Sequence, residues 1–83
     1  MDTNTEQWTK DALSAWLEEV LSRELQIPVR DIRDIKRFDA LGVDSLLAAY
    51  LAAELTTRLG RQVNIDMVYD HGDLYSLAEK MGV

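Results

Sequence analysis

Between Asp44 and Gly60 the chain runs without a glycine or a proline, from Ser45-Leu46-Leu47-Ala48-Ala49-Tyr50 through Leu51-Ala52-Ala53-Glu54-Leu55 to Leu59. Leu and Ala are among the best helix formers. Asp44 is a favoured N-cap, Arg58 suits a last turn, and Gly60 suits the left-handed position just past a helix. The stretch is predicted to be one helix, and in a chain of 83 residues a helix of this length sets the architecture. The remaining segments must cover its apolar face.

An earlier segment places Leu13, Trp16, Leu17, Val20 and Leu21 at spacings of three and four, with Glu18, Glu19, Ser22 and Arg23 on the other side. That is the pattern of an amphipathic helix. Two capping pairs, Thr3 with Glu6 and Asn4 with Gln7, fit its start, and Pro28 disfavours helical geometry at Ile27, so it should end near Leu25 or Gln26. From Pro28 to Asp44 the chain reads as a long connection, its apolar residues Ile32, Ile35, Phe38 and Leu41 isolated among charges. Such a connection is functional or pinned down, and Phe38 and Leu41 are expected to drop into the core. Val63, Ile65, Met67 and Tyr69 alternate as in a strand, but no second segment offers a partner, so Asp66 to Asp70 reads as a short helical turn capped by Asp66. Asp73 then caps a last helix with Leu74, Leu77, Ala78 and Met81 on one stripe. The predicted fold is all-α: a small four-helix bundle of three main helices and one short one, with a long loop between the first and second.

Composition narrows the function. Nine Lys and Arg against fifteen Asp and Glu give a net charge of -6, which opposes nucleic-acid binding. No cysteine and one histidine leave nothing from which to build a disulfide framework or a zinc site. No segment approaches the roughly 18 apolar residues of a membrane span, and the first residues do not resemble a signal peptide, so a cytoplasmic, monomeric domain is expected over residues 1–83. Whether it is a discrete protein or part of a longer chain stays open. So short a chain is a poor candidate for a self-contained catalyst.

Ser45 is the most informative residue. At the first turn of a helix its hydroxyl lies beside free backbone N–H groups and the positive end of the dipole, where a phosphate ester is favoured. On this stretch alone, Asp44 and Ser45 serving only as a helix cap is the favoured reading, since such residues so often start helices. The run Phe38-Asp39-Ala40-Leu41-Gly42-Val43-Asp44-Ser45-Leu46-Leu47-Ala48, however, resembles the F-x-x-L-G-x-D-S-L-x-A pattern of the acyl carrier protein family, in particular the carrier domains of polyketide synthases. The likeness continues in register through Leu51, Leu55, Leu59 and Gly60 to Val68-Tyr69-Asp70-His71, like the family's V-F-D-H, and on to Leu74, Leu77, Ala78 and Glu79. Spaced matches in one order are far more specific than a serine at a helix start.

The resemblance implies a four-helix carrier, not an enzyme, whose Ser45 bears a covalently attached 4'-phosphopantetheine. A separate phosphopantetheinyl transferase transfers that arm from coenzyme A with magnesium, and its thiol holds acyl groups as thioesters. Asp44 and Leu46 would border the arm, and a ketosynthase and an acyltransferase would be partners. Where the family has proline, this chain has Asn64 and Gly72, and Asp66 and Asp73 replace threonine, so the helix starts survive while the loops lose a rigid residue.

Ser45 to Leu59 carries only Glu54 and Arg58 as charges, unlike the acidic face of fatty-acid carriers, which favours the polyketide branch. Ala48, Leu51, Ala52, Leu55 and Leu59 form one helical stripe, so Leu46, Ala49, Tyr50 and Ala53 must lie largely on the opposite side. With Leu47 and Glu54 they are the expected partner interface. A peptidyl carrier of a nonribosomal synthetase is the first alternative, disfavoured by Val43 where that branch shows glycine, and an unmodified helical interaction module is the second. His71 with Asp70 and Asp73 makes a poor metal site, and Ser45 lacks the flanking glycines of a hydrolase's nucleophile elbow. Arg30, Arg33, Lys36 and Arg37, interleaved with Asp31 and Asp34, read as a solvated loop or as a docking surface for an acidic partner.

Overall fold

The order of elements follows from where apolar periodicity is interrupted. The computed structural model describes residues 8–82. Its helices are α1 (Lys10–Leu25), α2 (Val29–Ile35), α3 (Phe38–Leu41), α4 (Ser45–Leu59), α5 (Ile65–His71) and α6 (Leu74–Met81). Among the described residues there is no strand, and the all-α bundle expected from the sequence is the observed fold.

The termini of the longer helices are held by side-chain caps. Thr9 accepts from the Ala12 N–H, Asp44 from that of Leu47 and Asp73 from that of Ser76. Asp44 and Asp73 are the expected caps. The start of α1 is corrected, since Thr9 caps it, while Thr3 and Asn4 lie outside the described residues. Its end agrees with expectation, with Gln26 in the left-handed region at φ 57° and Pro28 two residues on. The cap of α5 is also corrected from Asp66 to Asn64, whose side chain accepts from the Met67 N–H.

The long loop expected from Pro28 to Asp44 is the main correction. Pro28 opens α2, and Gly42 closes the single turn of α3 in the left-handed region at φ 89°. Of the four apolar anchors, Ile32, Phe38 and Leu41 are buried, while Ile35 is exposed. An isolated antiparallel pairing of Arg37 with Asp73 ties the segment down. There the Phe38 N–H donates to the Gly72 carbonyl at 2.9 Å and the Leu74 N–H to that of Lys36 at 3.1 Å. The connection is thus fastened to the entry of α6.

Close backbone approaches join α1 to α6 and α2, and α4 to α5. Glu18 accepts from the Tyr75 hydroxyl and Lys10 lies against Gly82, so α1 and α6 run antiparallel. The core gathers Leu13, Leu17, Val20 and Leu21 of α1, Ala48, Leu51, Ala52 and Leu55 of α4, Val68 of α5, and Leu74, Leu77, Ala78 and Met81 of α6. Trp16 is half-buried, with the Arg58 guanidinium 4.7 Å above its ring. Among the described residues no helix is long and apolar enough to cross a membrane.

Candidate functional site

Ser45 owes its position to a reversal of the chain over four residues. Leu41 is buried at the end of α3. Gly42 then turns at φ 89°, a conformation costly for a residue with a Cβ. Val43 drops back inside, only 8% exposed, with its N–H donating to the Phe38 carbonyl at 3.0 Å. With Val43 anchored, Asp44 and Ser45 emerge exposed at the end of the bundle.

At this end α4 presents a polar, anion-favouring terminus. The Asp44 carboxylate takes the Leu47 N–H at 2.9 Å and its carbonyl takes that of Ala48 at 2.9 Å. The N–H groups of Ser45 and Leu46, the first two of the helix, have no intrahelical acceptor. They point where an anion on Ser45 is stabilised together with the helix dipole. Ser45 is itself exposed, and a Cβ placed on Gly42, three residues before it, would meet nothing within 4 Å, so the turn into the helix is uncrowded. An exposed hydroxyl, unpaired helix N–H groups and an uncrowded turn fit a bulky phosphodiester on Ser45 Oγ.

The expected interface residues separate into two groups. Leu46 is 80% exposed and Tyr50 38%, and Ala49 and Ala53 are exposed beside them. These form an apolar strip running from Ser45 along the outer side of α4. Leu47 is half-buried and, with Leu25, Leu46 and Tyr50, lines a groove of about 360 Å³ between the end of α1 and the start of α4. Glu54 is half-buried and pairs with Arg58, the residue that covers Trp16. Its charge is therefore committed to the bundle.

α5 adds a residue that the sequence reading did not single out as part of the site. Its Asn64 cap and buried Val68 leave Tyr69 46% exposed, with its hydroxyl oxygen 3.5 Å from Ser45 Oγ. The available signal was the V-F-D-H match, in which tyrosine in place of phenylalanine supplies a hydroxyl.

The other candidates resolve into structural roles. His71 ends α5, and among the described residues no three His, Asp or Glu side chains are grouped to hold a metal ion. Arg33 pairs with Glu18 at 3.2 Å and Arg37 with Asp39 at 3.2 Å. The hydrogen bond from Arg37 holds the Asp39 carboxyl below its ordinary range, with the Ala40 N–H adding to the effect. Between α6 and α1, burial pushes the Tyr75 phenol up to about 12, reinforced by its hydrogen bond to Glu18.

Comparison with solved structures finds a free-standing peptidyl carrier protein from an uncharacterized secondary metabolic pathway of Acinetobacter baumannii. It shares 21% sequence identity at a TM-score of 0.77, over 87% of this chain and 90% of that one. At that identity the likeness speaks for the fold. The family described as "Phosphopantetheine attachment site" matches residues 15–81, a span that runs from within α1 to the end of α6, and the chain therefore belongs to this family of non-catalytic carriers with a covalently attached 4'-phosphopantetheine.

Proposed function

We propose that the chain is an acyl carrier of the polyketide type, with Ser45 Oγ as the attachment atom and residues 1–83 acting as one monomeric carrier domain in the cytoplasm. The observation that carries this reading is the exposed Ser45 hydroxyl at the start of α4, inside the span that matches the attachment family. The attached group supplies a thiol, which a cysteine-free chain otherwise lacks, and holds cargo as a thioester. Ser45 Oγ loses its proton to the transferase and bonds to the pyrophosphate phosphorus of coenzyme A that bears the pantetheine, and the P–O bond that breaks releases adenosine 3',5'-bisphosphate. The unpaired N–H groups of Ser45 and Leu46 stabilise the resulting anion, while Asp44 keeps the first turn of α4 closed through its cap.

Two features support the polyketide branch. Val43 is a buried plug, and the strip of Leu46, Ala49, Tyr50 and Ala53 offers partners an apolar surface. A phosphopantetheinyl transferase, a ketosynthase and an acyltransferase are the partners this reading requires. The likeness in fold to a peptidyl carrier protein supports the second reading, a peptidyl carrier. The test is to offer the arm-bearing protein to an acyltransferase with malonyl-coenzyme A, and separately to an adenylating enzyme with ATP and amino acids. A malonyl thioester detected by intact mass, without an aminoacyl one, is the expected outcome. The reverse pattern overturns the polyketide reading in favour of the peptidyl one.

A further inference from the structure

We infer that Tyr69 is a positioning residue for the arm: its hydroxyl holds the phosphodiester on Ser45 and so sets the direction in which the arm leaves the bundle. The inference rests on the proposed attachment at Ser45. It starts from two hydroxyl oxygens on different helices, Tyr69 on α5 and Ser45 on α4, which lie 3.5 Å apart.

That separation exceeds the distance of a full-strength O–H···O hydrogen bond, so between two neutral hydroxyls the contact is weak. Esterification changes the acceptor. Ser45 Oγ loses its proton, and the negative charge resides on phosphate oxygens that bond to hydroxyl donors at shorter distance and about twice the strength. The Tyr69 phenol is the donor that α5 brings to this point. The helix that carries the ring is itself fixed, on one side by Val68, which is fully buried, and at its start by the Asn64 cap. A rigid aromatic with a polar tip loses little conformational freedom when it bonds.

The backbone N–H groups of Ser45 and Leu46 approach the phosphate from α4, and Tyr69 approaches it from α5. Donors from two helices restrict rotation about the ester, which one helix terminus alone does not do. Phenylalanine at this position packs equally well and lacks the bond.

The test compares the arm-bearing wild-type, Tyr69→Phe and Tyr50→Phe proteins, each first checked for a single arm by intact mass and for fold by circular dichroism. The 31P resonance of the phosphodiester is expected to move by more than its linewidth in Tyr69→Phe, and the amide groups of the arm to become more mobile by NMR relaxation. Tyr50→Phe, altering the other tyrosine near the serine, is expected to do neither. In the wild-type protein the ring-carbon resonance next to the Tyr69 hydroxyl should shift when the arm is added, a reading that needs no substitution. An unchanged 31P resonance and unchanged arm mobility in Tyr69→Phe, with the arm on Ser45, overturn the role of Tyr69 and leave the attachment standing. Absence of any arm on Ser45 overturns both.

Discussion

Tyr75 and Glu18 show how single residues set the chemistry where α6 meets α1. The phenol donates to the Glu18 carboxylate at 2.6 Å, and burial, with that bond, raises its pKa from 10.0 to about 12. Because the folded value lies above the unfolded one, the neutral phenol contributes stability that is fully present below the unfolded pKa and is lost as pH rises through about 12. The difference in denaturant midpoint between wild type and Tyr75→Phe should therefore shrink as pH is raised from about 9 toward 12. A difference independent of pH contradicts the assignment. At this scale the serine and its cap were legible in the sequence, because capping chemistry is local. The partners of Tyr75 and Tyr69 were not, since both contacts join residues far apart in the chain. Tertiary packing creates them.

Among the elements, the link from α4 to α5 depends on one hydroxyl. Thr56 Oγ1 accepts from the Val63 N–H at 2.9 Å, and its single proton is shared between the Ala52 carbonyl at 2.9 Å and the Val63 carbonyl at 3.0 Å. Asn64 stands in this link where the family has proline, and the hydroxyl fastens the backbone there. Val63 is 3% exposed, so Thr56→Val leaves a buried N–H without its acceptor and should cost about 1–3 kcal/mol. Thr57→Val removes a hydroxyl bonded only to the Ala53 carbonyl on the exposed side and should stay within about 0.5 kcal/mol. Equal melting temperatures for the two variants would show that the clasp carries no stability.

α1, α4 and α6 were readable from apolar periodicity and caps. α2 and α3 were not, because Ile32 is the one buried residue of α2 and α3 is a single turn. Helices so short do not hold alone; they form here because Ile32, Phe38 and Leu41 reach the core and the Arg37–Asp73 pairing fixes the junction between them. The alternation from Val63 to Tyr69 was strand-like in pattern, and the lack of a second strand decided correctly for helix.

For the whole molecule, the question is whether partners find the arm through charge or through apolar contact. The net charge is -6, yet beside Ser45 the outer side of α4 shows Leu46, Ala49, Tyr50 and Ala53, while Glu54 is spent on Arg58. Apolar contact is little weakened by salt, whereas long-range attraction between exposed charges is screened beyond about 10 Å at 0.1 M. Ala49→Asp should leave the melting temperature nearly unchanged, within about 0.5 kcal/mol of stability. It should nevertheless slow acyl transfer by a partner ketosynthase by placing an unpaired charge in the contact. Transfer by the wild-type protein should vary little with ionic strength. A rate that collapses with salt, with Ala49→Asp harmless, would shift recognition to charged positions such as Arg33 and Arg37.

The carrier role rests on one atom, Ser45 Oγ, and intact-mass analysis with peptide mapping tests it most directly. After incubation with coenzyme A, magnesium and a phosphopantetheinyl transferase, the wild-type chain is predicted to gain one arm, on the peptide that contains Ser45. Ser45→Ala is predicted to gain none while keeping its helical circular dichroism, because Asp44 still caps α4. An arm on the Ser45→Ala chain, or a wild-type chain left unmodified, would contradict the account.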